Sequence, residues 1–131
     1  GNRRMAKIIS FAWTTPALLA GRKTCTRRNW DRSYALSFYE GEIVQAWNTS
    51  PRNVRARPRQ LAWIRLIATP CWEPLERMPD SDYEAEGFAF LAQQPRRSGG
   101  PVGDASWESF QKWRDSGESM WVVRFKLEEL L

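Results

Sequence analysis

Gly21-Arg22-Lys23-Thr24-Cys25-Thr26-Arg27-Arg28 packs four cations and three small hydroxyl or thiol side chains directly behind a glycine. A glycine that stops a short helix lets the chain turn sharply, so the residues after it point into one pocket instead of spreading along a face. The helix is written just upstream. Thr15 reads as its cap, Pro16 suits the first helical position, residues 17–20 fill the turn and Gly21 ends it. Residues 7–13, short and apolar, read as a first strand before that helix. The cations of the segment then follow a helix C-terminus, where free carbonyls and the macrodipole favour positive charge. Such a mixture suits an anionic or nucleobase-like ligand.

Further along, Trp30, Tyr34 and Phe38 repeat at helical spacing while Tyr34, Leu36 and Phe38 alternate, so residues 30–39 take no assignment. Residues 43–47 read as a strand introduced by Gly41-Glu42. Residues 60–69 set Leu61, Trp63 and Ile67 on one face and Ala62, Ile64, Leu66 and Ala68 on the other, which predicts a central strand buried on both faces. In residues 120–127, Trp121, Val123, Phe125 and Leu127 alternate against Arg124 and Lys126, the pattern of a strand that closes the sheet.

Two helices are expected between those strands. Ser81-Asp82-Tyr83-Glu84 has the form of a capping box, and a helix continuing from it puts Tyr83, Glu86, Gly87, Phe90 and Leu91 on one face. Glu86 is then a carboxylate on an apolar side. Burying it unpaired is costly, so it should meet Lys23 or an arginine of the opening segment; the alternative is that it reaches water at the rim. A second helix over about residues 105–115 carries Trp107, Phe110 and Trp113 or Arg114 as core cover and ends at Gly117. Residues 95–103, rich in Gly and Pro, read as a flexible link.

With 131 residues, the chain is expected to form one domain over residues 5–131, with residues 1–4 an expression remnant ahead of Met5. No apolar run approaches the ~18 residues of a membrane span, and no secretory core opens the chain, so a cytoplasmic protein without membrane contact is expected. Cys25 and Cys71 read as free thiols. Histidine is absent, which excludes Ser-His-Asp and Cys-His catalysis and imidazole acid-base chemistry. Two cysteines alone leave a zinc site short of ligands, so neither a metal nor a cofactor is expected.

The net charge of +5 is uneven: residues 1–60 hold twelve Lys or Arg against three Asp or Glu, and residues 61–131 hold eight against twelve. Sixteen of the twenty cations are arginine, and eight tryptophans accompany them. Arginine with exposed tryptophan holds single strands by phosphate neutralisation and base stacking; tryptophans in the core under a solubilising arginine surface are the other reading. The exposed loop 48–59 carries Arg52, Arg55, Arg57 and Arg59, and reads equally as a phosphate grip and as a solvated connection.

The opening segment resembles the signature of the ASCH domain, of the PUA-like superfamily, G-x-K-x-x-E-x-R after the first helix. Gly21, Lys23 and Arg28 match it, and Thr26 stands at the glutamate. Residues 82–88 and 120–125 resemble the acidic helix and closing strand of that family, so the likeness runs from about residue 7 to 127. It implies an α+β fold, a small PUA-like β-barrel flanked by short helices, with a cleft for RNA or a nucleobase. A bacterial branch similar to N4-acetylcytidine amidohydrolases has G-R-K-T-x-T-x-R, which Gly21 to Arg28 reproduces. In that branch a lysine, a threonine and a glutamate form the catalytic set, which by position implies Lys23, Thr26 and Glu86.

Two functions are therefore expected. The first is a module that holds a nucleotide of RNA, or a modified nucleoside, in a basic cleft, with single-stranded DNA as a further candidate. Its contacts would be Arg22, Arg27, Arg28, Arg52, Arg55 and Arg57, with Tyr83 or a tryptophan stacking on a base. The second is an amidohydrolase of an N-acylated nucleoside through Lys23, Thr26 and Glu86.

Overall fold

In a computed structural model, which describes residues 6–94 and 104–131, the chain forms an α+β fold: a curled half-barrel sheet with short helices against it. The strands are β1 (Ile8–Ser10), β2 (Cys25–Arg28), β3 (Ile43–Trp47), β4 (Gln60–Leu66), β5 (Cys71–Pro74) and β6 (Ser119–Leu130). The helices are α1 (Thr15–Leu19), α2 (Arg32–Ala35), α3 (Asp82–Ala85), α4 (Phe88–Ala92) and α5 (Trp107–Arg114). The expected link at residues 95–103 and the remnant at 1–4 lie outside the described residues.

β6 organises the sheet. Its first half pairs antiparallel with β2 on one side and β5 on the other, and its second half pairs with β4. β4 continues to β3, and β3 to a parallel β1, so the path runs β1-β3-β4-β6-β2. Register shifts at Ala46/Trp47 and Trp63/Ile64 add local twist that helps the sheet curl. Curling brings β1 and β2, the two ends of the path, together. The Arg28 guanidinium of β2 donates to the Ser10 carbonyl of β1, so a side chain spans the seam. Phe11, just past β1, packs edge-on against Phe125 of β6 and joins the core of Ile9, Leu18, Phe38, Val44 and Ile64.

The helix stop forms as expected: Pro16 lies in the first turn of α1, and Gly21 has φ +72°. Thr15, however, is the first helical residue; Thr14 holds the cap position, and its hydroxyl donates to the Phe11 carbonyl at 2.7 Å. The first strand is shorter than expected, because Ala12–Thr14 make a tight 3-10 turn entered with Ala12 at φ +47°. The second half of the opening segment is itself a strand, β2. Strand β4 is central but ends at Leu66, and its second face is partly open, with Trp63 and Arg65 half-buried and Ile67 exposed beyond it.

The long helix expected after Ser81 is two short ones. Gly87, at φ +91°, separates α3 from α4. The capping box does not form: Ser81 makes no side-chain cap bond, and Glu84 turns instead to Arg22. In α5, Ser106 caps the helix by accepting from the Ser109 amide at 3.1 Å.

Candidate functional site

Lys23 leaves α1 through the glycine turn, where the amides of Arg22 and Lys23 both donate to the Ala17 carbonyl at 3.0 and 3.1 Å. Thr24 then ties the segment into the fold: its amide donates to Ala85 at 2.8 Å, and its carbonyl accepts from Phe125 at 3.0 Å. From there β2 alternates. Cys25 and Arg27 contact the carboxylates of α3, while Thr26 and Arg28 bond each other, Arg28 Nε donating to Thr26 Oγ1 at 3.1 Å.

Glu86 closes α3 and is 3% exposed. It meets Lys23 as expected. Lys23 Nζ donates to the Glu86 main-chain carbonyl at 2.7 Å and to Oε1 at 3.2 Å. Gly87 makes that approach sterically possible, since a Cβ there would lie 2.6 Å from Ala17 Cβ and 3.3 Å from Lys23 Cβ. The other carboxylate oxygen, Oε2, accepts from Arg27 Nη1 at 2.7 Å. Arg27 Nη2 in turn donates to Asp82, which also accepts from Arg124 at 2.8 and 3.0 Å. Lys23, Arg27 and Arg124 thus share two carboxylates. Each oxygen of Asp82 and Glu86 has a cationic donor, which is the condition under which buried charge is tolerated.

The electrostatics follow from burial. Desolvation pushes Lys23 below the ordinary lysine value, and the negative charge of Glu86 opposes that shift only in part. Desolvation also lowers Arg28, again against Glu86. Burial, reinforced by Glu86, pushes the Cys25 thiol up to about 12, which keeps it protonated and inert. For Asp82, burial disfavours the ionised form, but the bonds from Arg124 and Arg27 outweigh it and hold the carboxyl below its usual range.

Lys23, Thr26, Arg28 and Glu86 line one cleft of about 440 Å³, with Ser10 at the seam. Trp13, Phe88, Phe110 and Trp113 supply apolar walls, Trp13 and Phe88 being stacked with centroids 5.4 Å apart. Phe11 lies under the Arg28 guanidinium at 5.7 Å, and exposed Asp104 sits among the lining residues. A cationic and hydroxyl floor between aromatic walls suits a flat, polar-edged ligand. Helix α5 therefore does more than cover the core, because Phe110 and Trp113 face the cleft.

Other expected contacts lie elsewhere. Arg27 lines the cleft, but its side chain is only 1% exposed and is committed to Asp82 and Glu86, so it orients the floor and is not a loose phosphate contact. Arg22 is exposed and paired with Glu84, outside the lining. Tyr83 donates to the Ala105 carbonyl at 2.7 Å and packs edge-on against Trp107 and Phe110; its ring is used within the fold and does not line the cleft. Arg52, Arg55 and Arg57 are exposed on the 48–59 loop, away from the cleft lining. Sequence reasoning passed over Asp82. Its spacing of four residues from Glu86 sets both carboxylates on one helical face, and that was the available signal.

No family model and no curated protein matches the chain. Among solved structures, it is similar to the crystal structure of protein EF3133 from Enterococcus faecalis V583, described under the family model DUF984. The two are 13% identical, with a TM-score of 0.57 over 97% of this chain and 82% of that one, a likeness of fold alone.

Proposed function

We propose that the cleft is a nucleobase site and that the chain is an ASCH-like domain holding a nucleoside of RNA, or a modified nucleoside. The observation that carries this reading is the shared lining of Lys23, Thr26, Arg28 and Glu86 beneath aromatic walls. A base would lie against Trp13 or Trp113, with its polar edge toward the floor, where cations and a carboxylate offer both donors and an acceptor. The cleft volume is within the range of about 300–1,000 Å³ usual for small-molecule sites. Titrating N4-acetylcytidine into the protein while following tryptophan fluorescence tests it, since two cleft walls are tryptophans. Saturable quenching that is lost in Thr26→Val and Trp113→Ala is expected; an unchanged signal up to millimolar nucleoside refutes the site.

A second reading, amide hydrolysis in the same cleft, is favoured by the depressed Lys23 amine beside Glu86. Neutral Lys23 would take the proton of Thr26 Oγ1 as that oxygen bonds to the acyl carbon of an N4-acylated cytidine. Arg28, already bonded to Thr26, would face the developing oxyanion. Collapse breaks the C–N bond, and Lys23 returns the proton to the departing amine. Water then cleaves the acyl-threonine, releasing the acid and restoring the hydroxyl. Purified protein should release cytidine from N4-acetylcytidine, with the rate rising to a plateau below the ordinary lysine value of about 10.4. Turnover that survives both Lys23→Ala and Thr26→Ala refutes this chemistry.

A further inference from the structure

A second cavity, about 470 Å³, shares Ser10 with the first. Tyr34 of α2 and Ser50 and Arg52 of the 48–59 loop line it, together with Lys7. Lys7 is already spent: its ammonium pairs with Glu42 at 2.6 Å and bonds the Ser37 carbonyl at 3.1 Å. Arg52 is not. Among the described residues, Arg52, Arg55, Arg57 and Arg59 make no ion pair, and all four are exposed. Tyr34 is 41% exposed, yet its ring is held edge-on by Trp30 at 5.1 Å and Phe38 at 5.3 Å. A braced, open aromatic ring beside an uncompensated guanidinium is the pairing that holds one step of a single strand, the ring taking a base and the cation the phosphate.

We propose that this second cavity is a subsite for the neighbouring nucleotide, so that the cleft takes its base from within a single-stranded nucleic acid and not as a free nucleoside. The phosphodiester crosses at Ser10, Arg52 neutralises it, and the adjacent base stacks on Tyr34. The remaining loop arginines lie along the outgoing strand. This rests on the nucleobase reading of the first cleft, and it names the form in which the base arrives.

The test compares N4-acetylcytidine, its 5′-monophosphate and a five-nucleotide RNA with N4-acetylcytidine at its centre, each titrated into the full chain at two salt concentrations. The pentamer should bind at least tenfold more tightly than the nucleoside at low salt, and most of that gain should vanish at high salt. Arg52→Ala and Tyr34→Ala should each remove most of the gain and leave nucleoside affinity within twofold. Both positions are exposed, and a thermal melt checks that each variant is folded. A pentamer that binds no more tightly than the nucleoside overturns the subsite, as does a gain that persists in both variants. A gain delivered in full by the monophosphate also overturns it, since a lone phosphate needs no neighbouring base. If the pentamer binds through Arg52 and Tyr34 while the nucleoside does not bind, the subsite stands and the nucleobase reading of the cleft falls.

Discussion

The segment Gly21 to Arg28 and the loop 48–59 have four cations each, and the fold uses them in opposite ways. In the first, Arg22 meets Glu84, Lys23 meets Glu86, Arg27 meets Asp82 and Glu86, and Arg28 spans the sheet seam. In the second, four exposed arginines have no ion pair among the described residues. Local charge density therefore does not say where positive potential is available. The carboxylates that quench Arg22, Lys23 and Arg27 come from α3 and its C-terminal end, about sixty residues later, and among the described residues no counterpart is folded over the second set. A charge run is a binding face only where the tertiary structure leaves it unmatched.

The sharpest way to break that contrast is to remove one arginine from each region. Arg27→Ala leaves buried Glu86 Oε2 without a cationic donor and takes one of two arginines from Asp82, and should cost about 3–5 kcal/mol in urea or thermal unfolding, whereas Arg55→Ala should stay within about 0.5 kcal/mol. Equal losses would dissolve the distinction. Next in size, Gly87→Ala combines a left-handed backbone with the contact to Ala17 and should lose about 2–4 kcal/mol. Because the same glycine admits Lys23 to the Glu86 carbonyl, ligand binding should weaken along with stability.

Acid supplies a smaller effect of known sign. The native Asp82 carboxyl lies below its unfolded value of about 3.9, so its stabilisation is complete above that pH and is lost as pH falls through the native value. Asp82→Asn should therefore show a shallower acid limb of stability than the parent. An identical slope would mean that the Arg27 and Arg124 bonds do not favour the ionised form. Least in energy is thiol reactivity: with Cys25 buried and raised to about 12, a thiol reagent at neutral pH should label exposed Cys71 in the native protein and both cysteines after denaturation. Fast native labelling of Cys25 would show that the carboxylate network opens readily.

The long elements and the central pair were legible in the sequence. β6 alternates strongly enough to read directly, β4 shows as a run apolar on both faces and β3 as the segment introduced by Gly41-Glu42; Gly21 stopped its helix, and Glu86 met Lys23 because a carboxylate on an apolar face needs a cation. What escaped was short or depended on distant partners. β2 and β5 are four residues each, too brief for a period, and their residues pair because β6 runs between them. The capping box failed since Glu84 had a better partner in Arg22, and the helix broke where Gly87 looked like one more residue of the buried face. Arg27 looked like a ligand contact because nothing near it in the chain reveals that Asp82, 55 residues on, will claim it.

Gly87 also carries a message about inheritance. Its missing side chain is the space in which Ala17 and the stem of Lys23 sit, so positions 17, 23 and 87 form one packing unit. A lineage that keeps the buried lysine-glutamate pair is expected to keep a glycine directly after the glutamate and a small residue six places before the lysine. Where that glycine has been replaced, the pair should have been lost with it, and the opening segment should have drifted toward an ordinary surface turn.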